Sequence, residues 1–196
     1  MTLRQDKRRW TMREVQGAAL DLFEARGFDA VSVEAIAAAA GVSPPTVYRH
    51  FGSKERIVLW DDYDPGLFAE IAAQTRALAP LAAIEHGLIA SLDRVYADDA
   101  RLVLRRARLM LSNPALLAAN APLMAELCAA LGALLDQHYP RLGTERAELL
   151  GAVVVAALEI AIKHWIAEEG RRPLREHFRE AFADLRSVVL TEGVLT

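Results

Sequence analysis

The 196-residue chain has little that is typical of a secreted, membrane-spanning or metal-binding protein. Its single cysteine, Cys128, excludes an internal disulfide and a multi-cysteine metal site, and fits a reducing cytoplasm. No apolar stretch approaches the roughly 20 uncharged residues that a membrane span requires. The N-terminus is polar and basic, which does not match a secretory signal. We expect a cytoplasmic protein without a membrane partner, a metal or a cofactor.

The sequence also lacks the common patterns of enzymes. It has no Ser/His/Asp order, no carboxylate–histidine metal pattern and no glycine-rich phosphate loop. β-Branched runs are short apart from Val153-Val154-Val155, whereas alanine and leucine dominate a composition that is 53% hydrophobic. These residues favour helix. We therefore predict an all-α protein with a well-packed core, and no enzyme activity.

Charge is unevenly distributed along the chain. Residues 1–60 hold nine Lys or Arg against seven Asp or Glu, and residues 61–196 hold fourteen against nineteen, so +2 and −5 make up the net charge of −3. Most of the N-terminal excess lies between Arg4 and Arg9. A basic end on an acidic body indicates contact with a polyanion. The alternative is a solvated, disordered tail.

Helix start and stop signals divide the first part of the chain. Thr11 and Glu14 have the spacing of a capping box, which predicts that the first helix begins there and ends at Gly27. Ser32 is a suitable N-cap for a second helix, which Gly41 ends.

A third, two-turn helix follows at once. Ser43 is placed to cap it, and Pro44 and Pro45 occupy its first turn, where a missing N–H costs nothing. Gly52 ends this helix and Ser53 caps the next. Two helices joined by a three-residue turn within about 18 residues have the geometry of a helix-turn-helix.

The residue pattern predicts helices throughout the rest of the chain. Pro and Gly breaks separate the predicted segments, which are 54–63, 66–79, 81–97, 99–112, 114–138, 144–169 and 173–191. We predict an N-terminal arm and three-helix helix-turn-helix DNA-binding domain at 1–58, followed by a larger helical ligand-binding and dimerisation domain at 59–196. The boundary is expected inside the fourth helix, without a flexible linker.

The third helix carries the residues expected to meet DNA. Val47 and Phe51 lie four residues apart and are expected in the core. The N-terminal part of a recognition helix enters the major groove, where short side chains meet base edges and polar donors meet phosphates. Arg49 can read guanine or hold a phosphate. The candidate DNA-binding residues are Ser32, Ser43, Pro44, Pro45, Thr46, Tyr48, Arg49, His50 and Lys54.

Four segments of residues 11–58 together resemble the DNA-binding domain of TetR-family transcriptional regulators. They are Arg26-Gly27-Phe28, Ser32-Val33-Glu34-Ala35-Ile36-Ala37, Ala39-Ala40-Gly41-Val42-Ser43 and Thr46-Val47-Tyr48-Arg49-His50-Phe51-Gly52-Ser53-Lys54-Glu55. The resemblance implies a homodimer that binds a palindromic operator and releases it when a small molecule enters the C-terminal domain. It also implies that Tyr48, His50 and Lys54 contact phosphates and that Ser32 is the polar cap of the second helix. The Pro44-Pro45 pair departs from the family's frequent polar residues there.

Two later segments resemble a subgroup whose C-terminal domain is associated with acyl-CoA-like ligands. They are Leu59-Trp60-Asp61 and the run from Arg106 to Leu116. This resemblance implies an acyl-CoA or fatty acid as effector.

The residue pattern itself points to a ligand site less directly. Arg106 lies in the middle of the apolar arc of its helix, so a buried guanidinium there needs a partner, either a core carboxylate or a ligand anion. His164 lies opposite a polar stripe and is either a satisfied core histidine or a ligand contact. Arg101, Arg105 and Arg108 form a stripe that is either functional or only solvated. The candidate ligand-binding residues are Trp60, Tyr63, Tyr96, Arg106, Met110 and His164.

The last two helices are expected to form the dimer interface. Residues 145–169 are apolar over most of the helix circumference, and Leu174, Phe178, Ala181, Leu185 and Val188 form a seam on the next helix. Two such helices from each of two chains make a four-helix bundle. We predict a ligand-responsive repressor; the alternatives are an enzyme and a helical module that binds a protein through residues 1–60.

Overall fold

The computed structural model describes residues 3–60, 66–95 and 100–191, and every regular element in these ranges is an α-helix. The prediction of an all-α protein is therefore confirmed. The helices are α1 (Leu3–Arg26), α2 (Val33–Ala39), α3 (Pro44–Phe51), α4 (Lys54–Leu59), α5 (Leu67–Gln74), α6 (Pro80–Val95), α7 (Ala100–Ser112), α8 (Pro114–His138), α9 (Thr144–Ala167) and α10 (Leu174–Thr191). Tyr63 and Tyr96 lie outside the described residues.

Backbone contacts divide the chain into two compact units. The first unit comprises Met1–Asp62 and Arg105–Ala121, and the second comprises Tyr63–Leu104 and Pro122–Thr196. Helices α7 and α8 thus each contribute residues to both units. The domain division at residue 58 stays a prediction.

The first unit is built around the small helices α1 to α4. Its buried core contains Val15, Phe23, Ile36, Val47 and Ile57, all with 2% exposure or less. Leu116 of α8 is also completely buried in this core, although it lies far along the chain from α4. Burial of such side chains is the main stabilising term of a small helical domain.

In the first unit, a glycine with positive φ stands at each of three helix ends. Gly27, Gly41 and Gly52 have φ values of +83°, +66° and +79° at the ends of α1, α2 and α3. Only glycine adopts this left-handed region readily, which confirms the three predicted helix ends. The helix starts at Val33, Pro44 and Lys54 are likewise those expected.

Three predictions about helix ends are wrong, and the simplest is that of α5, which ends at Gln74 and not at residue 79. Helix α1 begins at Leu3, and Thr11 lies inside it, where its hydroxyl donates to the Lys7 carbonyl oxygen at 3.0 Å instead of capping a helix start. The basic N-terminal segment is therefore helical from Leu3 rather than an irregular arm. Helix α4 ends at Leu59, because Trp60 is extended (φ −61°, ψ 119°), so it does not continue to residue 63.

The second unit packs long helices against one another through close backbone approaches. A Cβ on Gly87 of α6 would lie 2.6 Å from Ile71 of α5, and one on Gly151 of α9 would lie 2.9 Å from the Cys128 carbonyl oxygen of α8. Its core includes Leu135, Val154 and Phe182. Small residues at these crossings let the helices approach closely.

Helices α8 and α9 are long and apolar enough, by length and composition, to cross a membrane. This is weak evidence, because a core helix of a globular protein passes the same test. Glu126 and Glu159 interrupt the apolar runs of the two helices.

Candidate nucleic-acid interface and small-molecule cleft

Helix α3 presents one face to the core and the other to solvent. Val47 and Phe51 are buried at 1% and 4% exposure, as predicted. Pro45, Tyr48 and Arg49 are exposed on the opposite side, and Tyr48 retains 47% of its surface. Three of the residues expected to meet DNA therefore lie on an accessible helix face, although their contacts with DNA stay a prediction.

The start of α3 is organised by two hydroxyl groups. Ser43 is the N-cap residue, but its side chain does not accept from a helix N–H. Its hydroxyl lies 2.9 Å from the hydroxyl of Thr46 instead. Pro44 occupies the first helical position. Because proline has no N–H, the helix start has one fewer N–H group without a partner in the helix. Ser32, by contrast, caps α2 as expected by accepting from the Ala35 N–H at 3.1 Å.

Lys54 has a role inside the domain. Its Nζ donates to the carbonyl oxygens of Phe28 and Val31 at 2.8 and 3.1 Å, and it lies 4.3 Å from the centre of the Phe28 ring. These contacts tie the start of α4 to the loop between α1 and α2. The ammonium group has one further proton for a phosphate, and that contact stays a prediction.

His50 lies in a positive environment. Partial burial lowers its pKa below the usual value of 6.5, and the charges of Arg49 and Arg8 lower it further. Arg8 belongs to the basic start of α1, so its effect on His50 places that segment near α3 within the same unit. Positive charges from two helices thus act on one side chain of α3.

The end of α4 is held by donors from two other helices. The Trp60 carbonyl oxygen accepts from Gln16 Nε2 at 2.7 Å and from Arg106 Nη1 at 3.0 Å. Gln16 also donates to the Ile57 carbonyl oxygen at 2.8 Å and is 4% exposed. One partner of Arg106 is thus a backbone carbonyl, which is neither of the two partners expected from the sequence. A role for Arg106 in ligand binding stays a prediction.

Other candidate ligand residues have different surroundings. Trp60 and Met110 pack against the core of the first unit, and Trp60 meets the Phe51 ring edge-on with centroids 6.1 Å apart. His164 is exposed on α9, so its interpretation as a core histidine is wrong. The buried histidine is His177 of α10, whose side chain is 3% exposed and whose Nε2 lies 3.5 Å from Glu168.

The arginine stripe of α7 divides into two kinds of residue. Arg101 and Arg108 are exposed, and neither makes an ion pair within the described ranges. Arg105 is instead bound to Asp21 and Glu24 of α1, which raises its pKa, chiefly through the hydrogen bond with Glu24. Arg105 is therefore a structural anchor of the first unit.

The second unit contains a cleft of about 320 Å³. It lies between the end of α6, the first turn of α7 and the connection from α9 to α10. Its lining includes the apolar residues Leu104 and Trp165, together with three arginines and two carboxylates. Trp165 is 3% exposed and its Nε1 donates to the Arg172 carbonyl oxygen at 3.0 Å, which fixes the indole ring.

Sequence reasoning missed the cleft, the buried His177 and the Gln16 contacts.

The apolar seam of α10 was expected to form the dimer interface, but most of its residues pack within the same chain. Phe178 is buried, and Leu174, Ala181 and Leu185 pack against the second unit's own core, while Val188 is 65% exposed. On α9, Leu149 and Ile160 are 64% and 53% exposed.

Family comparisons cover most of the chain. The model of bacterial regulatory proteins of the tetR family matches residues 17–59, and the model of the MftR C-terminal domain matches residues 78–190. The second match alone covers more than half of the chain.

Two curated relatives resemble parts of the chain. The HTH-type transcriptional regulator TcmR of Streptomyces glaucescens is 38% identical over 95 residues, which cover 47% of this chain and 42% of TcmR. The mycofactocin biosynthesis transcriptional regulator MftR of Mycobacterium tuberculosis is 39% identical over 61 residues, covering 31% of this chain and 30% of MftR. The matched segments thus span less than half of either relative.

A solved structure resembles the chain over nearly its full length. The TetR-family repressor FadR of Thermus thermophilus, in complex with lauroyl-CoA, has a TM-score of 0.54 and 26% identity. The similarity covers 94% of this chain and 95% of that one.

Proposed function

This chain belongs to the TetR family of bacterial regulatory proteins, and we propose that it is a cytoplasmic, ligand-responsive repressor that binds a palindromic DNA operator as a homodimer. The family models and the relatives named above describe transcriptional regulators and not enzymes. The proposal is carried by the accessible face of α3 beside a basic helix start, since both are needed to read a groove and hold its phosphates.

Base contacts are assigned to the start of α3 and phosphate contacts to its later residues. Ser43 and Thr46 offer hydroxyl groups, and Pro45 offers an apolar surface to a thymine methyl group. Tyr48 and His50 are assigned to phosphates. The basic start of α1, near His50, adds further phosphate contacts.

The dimer is assigned to α9 and α10. Leu149, Ala152, Ala156 and Ile160 are exposed at helical spacing on α9, and Val188 is exposed on α10. Large apolar side chains on one helix face favour burial against a second copy. A two-fold dimer then presents two α3 helices to major grooves about 34–36 Å apart, and the operator mirrors that symmetry.

The effector is proposed to be a lipophilic or acyl-CoA-like molecule. The structure of FadR of Thermus thermophilus is a complex with lauroyl-CoA, and its likeness to this chain covers 94% of the chain. A ligand that favours a conformation unsuited to DNA weakens operator binding, and the coupling is reciprocal. Each tenfold loss of DNA affinity requires about 1.4 kcal/mol of differential ligand binding.

The proposal is tested by selecting bound fragments from genomic DNA and measuring their affinity at several salt concentrations. A palindromic consensus and a steep loss of affinity with rising salt are expected, because phosphate contacts release counterions. Tyr48→Phe should weaken binding about 3- to 10-fold on every selected fragment, since it removes one neutral hydrogen bond. If no fragment is enriched, or if the bound species is a monomer by native mass spectrometry, the proposal fails.

A further inference from the structure

The lining of the second unit's cleft is largely apolar and also carries three arginines, Arg101, Arg172 and Arg175, against two carboxylates, Asp93 and Glu169. Leu92, Leu104 and Leu174 contribute aliphatic wall, and the buried Trp165 contributes an aromatic wall. Gly170 lets Leu104 pack closely against the α9–α10 connection, because a Cβ there would lie 2.9 Å from Leu104 Cδ2. A cleft with apolar walls and a few charged groups at its mouth suits an amphipathic ligand.

The arginines that line the cleft differ in how strongly they are already bound to carboxylates. Arg172 binds both Glu176 and Glu180 on α10, so its guanidinium is already used. Arg175 pairs with Asp93 at 3.2 Å, but both side chains are about half exposed (46% and 50%). Such exposed pairs contribute little and can exchange partners at small cost.

Of the three arginines that line the cleft, Arg101 is the one most able to bind a further anion. It lies in the first turn of α7, is exposed, and makes no ion pair within residues 3–60, 66–95 and 100–191. A guanidinium binds a carboxylate through two parallel hydrogen bonds. Together with Arg175 it places two planar cationic groups along the lining of one largely apolar cleft.

We propose that this cleft binds a small amphipathic carboxylate, with its apolar chain against Leu104 and Trp165 and its carboxylate on Arg101 and Arg175. The volume of about 320 Å³ is at the lower end of small-molecule pockets. The ligand is therefore of the size of a medium-chain fatty acid, and an entire nucleotide-bearing thioester is too large. This site differs from the six residues that the sequence suggested.

The regulatory consequence of the site rests on the proposed function. Leu104 lines the cleft, and the next residue of the same helix is Arg105, which binds α1. A ligand in the cleft therefore contacts α7 at Leu104, and α1 is bound to α7 at the next residue, Arg105. Binding to the cleft itself does not depend on DNA.

The test is calorimetric titration of the full chain, without DNA, with three eight-carbon probes below their micelle concentrations. Octanoate should bind at least about tenfold more tightly than octan-1-ol, because charge-assisted hydrogen bonds form only with the carboxylate. Octyltrimethylammonium should bind more weakly still. Equal affinity for octanoate and octan-1-ol, or no binding of octanoate by the native chain, overturns the proposal.

Variants locate the site. Arg101→Gln should weaken octanoate binding about tenfold and leave octan-1-ol unchanged. Arg108→Gln, an exposed arginine of the same helix outside the cleft, is the matched control and should have no effect. An equal loss in both variants overturns the assignment. Should Arg101→Gln fail to fold, Val103→Phe, which narrows the cleft, must weaken both octanoate and octan-1-ol.

The outcomes also separate this proposal from the proposed function. A chain that binds an operator but not octanoate retains its regulatory assignment and loses the cleft. A chain that binds octanoate at Arg101 but enriches no DNA retains the cleft and loses the regulatory assignment.

Discussion

Arg105 of α7 and Glu24 of α1 form a two-point ion pair, although 81 residues separate them in the chain. Arg105 Nε donates to Glu24 Oε1 at 2.7 Å and Nη2 donates to Oε2 at 2.8 Å. Nη2 also donates to Asp21 at 2.6 Å. Two-point pairing fixes both the distance and the direction between the helices, which a single contact cannot do.

The Arg105 anchor should contribute modestly to stability. Arg105→Ala is expected to lower the free energy of unfolding by about 1 kcal/mol, because the acidic partners are largely solvent-exposed and water screens the pairs. Urea unfolding of the variant and of Arg108→Ala, the exposed control, measures the difference. A double-mutant cycle with Glu24→Gln should return a coupling that is part of the loss in the single variant, because Arg105 also binds Asp21, and additive losses would contradict the pairing with Glu24.

Lys54 should stabilise the first unit independently of DNA. Lys54→Met keeps the aliphatic stem but leaves the Phe28 and Val31 carbonyl oxygens without their donor, so we expect a loss of about 1–3 kcal/mol. Arg49→Met, at an exposed position on α3, should reduce DNA affinity with little change in stability. Thermal unfolding of both variants without DNA decides the matter. Unchanged stability in Lys54→Met would contradict a stabilising role for the two carbonyl contacts.

His50 should make operator binding dependent on pH. Its lowered pKa in the free protein keeps the imidazole neutral near pH 7. A phosphate favours the charged form, so the pKa is higher in the complex, a proton is taken up on binding, and affinity rises as pH falls from 8 toward 5.5. The effect on folding has the opposite sign: the lowered pKa favours proton binding to the unfolded chain, so stability declines below about pH 6.5.

The pH effect is measured by titrating DNA at constant ionic strength. His50→Gln retains a donor but does not titrate, so its affinity should change much less over the same range. An equally steep dependence in this variant would assign the proton to another group.

Two helical glycines should respond oppositely to an added side chain. Gly151→Val places atoms against the Cys128 carbonyl oxygen, where even a Cβ would lie at 2.9 Å, and should cost about 1–3 kcal/mol by separating α8 from α9. Gly17 of α1 has no atom within 4 Å of an added Cβ. Gly17→Ala should therefore stabilise α1 by about 0.5–1 kcal/mol. Thermal unfolding checks both, and destabilisation by Gly17→Ala would contradict the open surroundings.

Local chemistry explains why some features could be predicted and others not. Gly27, Gly41 and Gly52 require left-handed φ values whatever the rest of the chain does, so they mark helix ends from the sequence alone. The capping box at Thr11 failed because a serine or threonine hydroxyl can also bond to the carbonyl four residues earlier within a helix, and the helix-forming residues before it extend α1 to Leu3.

The residue pattern alone also could not assign a role to each arginine of α7. A helical wheel places Arg101, Arg105 and Arg108 on one stripe, but their roles depend on what lies opposite each of them. Arg105 meets two carboxylates of α1, whereas Arg101 lines a cleft. Similarly, His164 and His177 could not be distinguished by periodicity, and the structure exposes the first and buries the second.

The sequence by itself determined the all-helical class, the turns of the helix-turn-helix and the face that α3 turns to the core, because these follow from backbone preferences and from side-chain spacing within a few residues. Only the tertiary structure decided that Lys54 binds two loop carbonyls, that Arg105 anchors α1 and that a largely apolar cleft lined by three arginines forms beside Trp165. Each of these joins residues distant in the chain, and their distances depend on how whole helices pack, which no local preference specifies.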